Sequence, residues 1–169
     1  MGKWAVRHQN AAHADQLGLL QSYRVSCWLL NQLNTVEDWG CGTGFARQFF
    51  RQEQYLGIDG SASRWCDVVE NVAERKSSPQ GILLRHVLEH NTQWRDVLAS
   101  ALACATHRIV VVVFTKLVTT TRYENDADGI PCISFAPEEI EAHFGELAWA
   151  RATIGTDTLW VIDKPVKSS

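Results

Sequence analysis

Val36-Glu37-Asp38-Trp39-Gly40-Cys41-Gly42-Thr43-Gly44 sets three glycines at alternate positions directly behind a predicted strand. Thr35 to Trp39 has the composition of a strand. Phe45 to Arg51 follows as a helix, with Phe45 and Phe49 on one face. A strand, a glycine turn and a helix in succession let the backbone approach a ligand closely, with amides at the turn free to receive polar atoms. Asp38, two residues before the first glycine, is placed to accept from a cationic ligand group or to hold the loop. A second strand, Tyr55 to Ile58, ends at Asp59-Gly60, and Asp59 lies fifteen residues after Gly44. A carboxylate at the end of the second strand is where both hydroxyls of a ribose can be accepted. The turn and the acid together describe a nucleoside site.

The rest of the chain extends the alternation outward from this turn. Upstream, Leu20, Tyr23, Cys27 and Leu30 recur at three- and four-residue steps, which predicts an amphipathic helix over Ala14 to Leu33. Downstream, Ser61 is placed to cap a following helix. Between Ala62 and Ser77 the pattern stays open: Trp65, Val68, Val69 and Val72 fit helical spacing, while Val68-Val69 equally fit a short edge strand. Ile82 to Val87 is the next predicted strand, and Thr92 is the expected cap of a helix whose stripe is Trp94, Val97, Leu98, Ala101, Leu102 and Ala105. Arg108 to Phe114, with four consecutive valines, has the composition of a strand buried on both faces. Thr115 to Ala136 is expected to be a long loop, a candidate lid in which Thr119 to Tyr123 either cover a ligand or lie solvated. Pro137 starts a helix through Phe144, and Leu147 to Ile154 with Thr158 to Ile162 flank Gly155-Thr156-Asp157 as an antiparallel hairpin. Such alternation gives an α/β fold with a mostly parallel sheet covered on both faces, whose ligands sit beyond the carboxyl ends of the strands.

Composition bounds the function. The 169 residues carry 16 Lys+Arg against 19 Asp+Glu, a net charge of −3, and 46% are hydrophobic, enough for one self-sufficient core. A mildly acidic chain has no general pull toward nucleic acid or anionic membranes. Cys27, Cys41, Cys66, Cys104 and Cys132 are odd in number and lack a C-x-x-C pair, as expected of reduced thiols in the cytoplasm. No apolar run reaches membrane-spanning length, and Met1 to Asn10 contains none of signal-peptide length. The six other tryptophans fit core or interface positions, whereas Trp39 abuts the glycine turn.

Two nucleotide motifs fail on these residues. A dinucleotide fingerprint counted from Gly40 meets Phe45 at its sixth position and counted from Gly42 meets Arg47, and a Gly-Lys-Ser/Thr P-loop is absent. The stretch Val36 to Gly44 instead resembles the first motif of the class I S-adenosylmethionine-dependent methyltransferases, with Trp39 in its hydrophobic slot and Gly40, Gly42 and Gly44 in register. Asp59 matches the second-strand acid of that family, and Leu84-Arg85-His86-Val87-Leu88-Glu89-His90 looks like its fourth-strand segment ending HVLEH.

The resemblance covers the chain from about Ala14. It implies a single domain over residues 1–169: an N-terminal helical segment to about 33, then a three-layer Rossmann-like sandwich with a mostly parallel seven-stranded sheet and a C-terminal antiparallel hairpin. It implies S-adenosylmethionine as cofactor, S-adenosylhomocysteine as product, and transfer to an oxygen or nitrogen of an acceptor of unknown class. The implied cofactor contacts are Asp38, Trp39, Gly40, Cys41, Gly42 and Gly44, then Asp59 and Gly60, Glu70 and Asn71 beside the adenine, and Arg85 and His86. The Asn/Asp-Pro-Pro-Tyr signature of nucleobase amine methylation is absent. A chain this small suggests a homodimer or a partner subunit, including a cofactor-binding subunit without activity of its own.

His86, Glu89 and His90 are the catalytic candidates. In the methyltransferase reading His86 orients or deprotonates a nucleophile, and the alternative that all three only hydrogen-bond the loop stays open. His86 to His90 also satisfies H-x-x-E-H, the zinc-hydrolase pattern, which requires the five residues to be helical. They follow a strand instead, and no metal ligand is assigned.

Overall fold

A computed structural model describes residues 21–165. Alternation of strand and helix produces a seven-stranded sheet built from β1 (Val36–Trp39), β2 (Tyr55–Asp59), β3 (Val68–Val69), β4 (Gly81–Arg85), β5 (Arg108–Val113), β8 (Ala148–Ile154) and β9 (Asp157–Asp163). Its order is β3-β2-β1-β4-β5-β9-β8. The first five strands are parallel, β9 runs antiparallel to β5, and β8 antiparallel to β9. The two strands flanking β1 are β2 and β4, so chain order reverses at β1 and a crevice opens beyond its carboxyl end.

Both faces are covered, as four consecutive buried valines require. The strand pleat sends Ile82, Leu84, Val111 and Val113 to one face, where they meet Trp94, Val97, Leu98 and Ala101 of helix α2 (Trp94–Cys104). Burial of each such large aliphatic side chain stabilises the fold by roughly 1.5–3 kcal/mol. Leu83, Val110 and Val112 point the other way, toward Tyr23, Cys27 and Leu30 of helix α1 (Gln21–Leu30). Tyr23, Cys27 and Leu30 of the predicted stripe are therefore buried; Ala14 to Leu20 of the predicted span lie outside the described residues.

Four local expectations change. Phe45–Phe49 forms a tight 3-10 turn, not an α-helix. No helix follows Ser61: the open pattern after Ala62 resolves to an edge strand, because Val68-Val69 pair with Ile58-Asp59. Thr92 is not the cap of α2; Asn91 Oδ1 accepts from the Gln93 amide at 2.9 Å instead. The long loop Thr115 to Ala136 contains a second, two-stranded sheet of β6 (Arg122–Asn125) and β7 (Pro131–Ser134). Asp126 Oδ1 accepts from the amides of Asp128 and Ile130, and Gly129 turns at φ 70°, which closes that hairpin. Helix α3 (Pro137–Glu141) begins at the expected proline.

Among the described residues no helix is long and apolar enough to cross a membrane, and all five cysteines are free thiols.

Candidate cofactor and acceptor cleft

The glycine turn works through left-handed backbone. Gly40, Gly42 and Gly44 have φ of 74°, 53° and 66°. Gly40 carries a second constraint: a Cβ there would stand 2.5 Å from Val87 Cγ2. The turn after β1 thus packs against the turn after β4 with no room for a side chain. The amides of Gly40 and Cys41 both donate to the Ile58 carbonyl, at 2.7 and 3.0 Å, tying the turn to β2.

Asp59 ends β2 with both carboxylate oxygens engaged. Oδ2 accepts from the Gly42 amide at 3.0 Å and Oδ1 from the Ser61 amide at 2.9 Å. A carboxylate oxygen accepts two bonds, so each retains capacity toward a ligand while its direction is set by the backbone. Asp59 borders a cleft of about 270 Å³ whose walls also include Gly40, Gly60, Asn71, His86 and His90.

Five of the implied cofactor contacts, with the catalytic candidate His90, therefore converge on one cleft. Sequence reasoning missed its remaining walls, Ser61, Val72, Val87 and Asn91; Val72 and Val87 carried only the signal of apolar periodicity.

Other implied contacts do not line it. Asp38 is buried on the α1 side, where its Oδ2 accepts from the Tyr55 hydroxyl at 2.7 Å. Burial raises its carboxyl to about 6, against the opposing effect of that bond. That bond ties β1 to β2. Trp39 is fully buried on the opposite face and donates to Glu37. Cys41 lies inward against Gly57. Gly42 and Gly44 shape the turn behind the cleft: Gly42 holds Asp59, and Gly44 faces Trp65. Glu70 is paired with Arg75, which also clasps Glu37. Arg85 lies 4.2 Å over the Tyr23 ring, buried under α1.

The three catalytic candidates separate in the same way. Glu89 is fully buried, with Oε1 accepting from the Phe114 amide at 2.9 Å, and does not line the cleft. Its Oε2 has no hydrogen-bond partner among the described residues, and burial pushes its carboxyl up to about 8. His90 uses Nδ1 to donate to the Pro131 carbonyl at 2.7 Å, joining the cleft to the β6–β7 hairpin. His86 turns at φ 57°, a conformation that costs a non-glycine residue on the order of 1–3 kcal/mol and gathers at functional sites. Its Nε2 lies 3.1 Å from Asp157 Oδ2. Burial lowers the His86 ring below its usual value, outweighing the carboxylate.

The zinc pattern fails on geometry. Only Leu88–His90 are helical, as a single 3-10 turn; His86 faces Asp157, and His90 faces Pro131. Among the described residues no group of three such side chains is placed to hold a metal ion.

Glu89 gives a stability prediction. Its folded value is raised, so between its ordinary 4.5 and about 8 the folded side chain keeps a proton that the unfolded chain releases. The contribution is fully present below 4.5 and is lost as pH rises through 8. Glu89→Gln keeps the acceptor and cannot ionise. Urea melts are expected to show the variant gaining on the wild type by a few kcal/mol from pH 5 to pH 8.5; a constant difference would place the proton elsewhere.

No protein-family model matches the chain, and no curated protein matches it in sequence. Solved structures match in shape. One is the Burkholderia thailandensis 1,6-didemethyltoxoflavin-N1-methyltransferase with bound S-adenosylhomocysteine, at 17% identity and TM-score 0.69, covering 89% of this chain and 81% of that one. A second is a chain of the Haloferax volcanii complex between a methyltransferase activator and a methyltransferase, at 10% identity and TM-score 0.71, covering 98% and 99%. A third is an O-methyltransferase family protein from Burkholderia thailandensis, at 13% identity and TM-score 0.60, where the match takes 93% of this chain but 56% of that one. Sheet order, terminal hairpin and these likenesses agree: the chain has the Rossmann-like fold of the class I S-adenosylmethionine-dependent methyltransferases.

Proposed function

We propose that the chain is an S-adenosylmethionine-dependent methyltransferase. The observation that carries this reading is Asp59, held by two backbone amides beside a left-handed glycine turn and facing a cleft at the reversal point of the sheet. A carboxylate so aimed suits the paired hydroxyls of a ribose. Asn71 and Val72 offer a polar and an apolar wall beside it, as a nucleobase needs. Asp59, Gly60, Asn71 and the backbone at Gly40 would hold the nucleoside, and His86 stands at the β4 side of the same cleft. The cofactor supplies an electrophilic methyl group on a sulfonium, and the chain's contribution is alignment with an acceptor oxygen or nitrogen, which removes several kcal/mol of entropic barrier. A partner subunit of the activator kind present in the Haloferax volcanii complex is compatible with this reading.

Calorimetric titration of the purified chain with S-adenosylhomocysteine is the direct test. Saturable binding near one equivalent is expected; none from a folded chain would overturn the reading. Methyl transfer from labelled S-adenosylmethionine then separates an enzyme from a cofactor-binding subunit without activity.

A further inference from the structure

Asp157, the first residue of β9, is 3% exposed and lies under α1. Three side chains converge on its Oδ2. The Ser22 hydroxyl of α1 donates to it, His86 Nε2 lies 3.1 Å away at the end of the β4 segment, and Arg85 Nη2 lies 3.7 Å away. Burial by itself would raise the Asp157 carboxyl, but the bonds from His86 and Ser22 outweigh it and the net direction is down. The Ser22 hydroxyl and the Arg85 guanidinium favour the ionised Asp157 independently of His86. An ionised carboxylate has no proton to give, so the hydrogen in the His86 pair sits on Nε2. The neutral ring then carries its lone pair on Nδ1.

Besides His86, Ser22 gives the carboxylate a hydroxyl donor and Arg85 a countercharge. Of the three partners only His86 borders the cleft. The ring is also restrained from other directions. The His86 amide donates to the Val112 carbonyl at 2.8 Å, and Phe114 packs against the imidazole at 4.9 Å and 64°. The left-handed backbone at His86 is thus held in place by a main-chain bond and a ring contact.

We propose that Asp157 is a positioning residue that holds His86 in its Nε2–H tautomer, making Nδ1 the base that takes the proton of the methyl acceptor. This rests on the methyltransferase reading and deepens it. As the acceptor's lone pair forms its bond to the methyl carbon, the pair of the breaking carbon–sulfur bond stays on sulfur. The acceptor's O–H or N–H proton passes to Nδ1 and from there to solvent. Asp157 acts only through His86, by fixing which nitrogen is bare and by stabilising the imidazolium that forms. The groups facing His86 are Asp157 from β9, Arg85 from β4 and His90 from the turn that follows, so one carboxylate opposes two basic neighbours.

The test is nitrogen-15 NMR of the full chain with labelled histidine at pH 7.5, with His86 assigned through His86→Asn, a residue that tolerates left-handed backbone. Wild type is expected to show a protonated Nε2 and a bare Nδ1, in an excess of about ten-fold or more over the other tautomer, as a charge-assisted hydrogen bond supplies. Asp157→Asn is expected to lose that excess, because an amide can also donate to Nε2. Ser22→Ala, which leaves the carboxylate in place, is expected to keep it. A wild-type ring with its proton on Nδ1 overturns the proposal, as does an unchanged tautomer in Asp157→Asn. Where that variant fails to fold, the wild-type tautomer decides alone. Titration with S-adenosylhomocysteine keeps the two readings apart: a chain that binds it with the wrong tautomer loses only the Asp157 proposal, and a chain with the right tautomer that does not bind it loses the methyltransferase reading.

Discussion

Asp59→Ala is expected to weaken S-adenosylhomocysteine binding by about 100-fold or more. Two charge-assisted hydrogen bonds to ribose hydroxyls contribute roughly 1.5–3 kcal/mol each, and each 1.4 kcal/mol is about ten-fold in affinity. The variant has a second cost, since the Gly42 and Ser61 amides lose the carboxylate that sets the turn. Asp59→Asn retains an acceptor but replaces one oxygen with a donor that cannot satisfy both amides, and its loss is expected to fall between wild type and Asp59→Ala. Calorimetry on each variant, with circular dichroism to verify the fold, measures the series. An Asp59→Ala affinity within two-fold of wild type would remove Asp59 from the cofactor site.

The parts of the fold visible in the sequence are those written in periodicity and glycine placement. Alternate glycines after a four-residue strand announce left-handed backbone, and four successive valines announce a strand covered on both sides; both are local signals. The depth of each side chain is not local. Glu37, Asp38 and Trp39 sit in the same motif as Gly40, yet the strand pleat sends Trp39 and Glu37 to one buried face and Asp38 to the other, below the mouth of the cleft. Arg85 directly precedes His86 and is buried under Tyr23, while His86 reaches the cleft through a left-handed turn that no histidine announces. Asp157 was legible only as part of a hairpin turn: it meets His86 across 71 residues of chain, a pairing that exists only once the sheet has formed. The β6–β7 hairpin was hidden for a different reason. Arg122 to Asn125 are all exposed, so no alternation of apolar and polar residues marks the strand.

Gly40→Ala is expected to destabilise the fold by about 2–5 kcal/mol, from two separable causes. A non-glycine residue at φ 74° costs on the order of 1–2 kcal/mol wherever it sits. The added Cβ would also stand 2.5 Å from Val87 Cγ2, and overpacking of that kind adds typically 1–3 kcal/mol. Val87 is itself a wall of the cleft, so whichever way it yields, the Gly40→Ala cavity changes shape next to Asp59. The double variant Gly40→Ala/Val87→Ala tests the division. Shortening Val87 removes both of its Cγ methyls, relieving the steric part and leaving the backbone part. Urea denaturation of the two single variants and the double one should therefore show a favourable coupling of at least about 1 kcal/mol, well outside the scatter of independent sites. Strict additivity would mean that backbone conformation alone demands glycine at this position, and that the turns after β1 and β4 are not locked together by the missing side chain. With the coupling present, loss of S-adenosylhomocysteine affinity in Gly40→Ala should be partly restored in the double variant, which ties the glycine to the shape of the cleft as well as to the path of the chain.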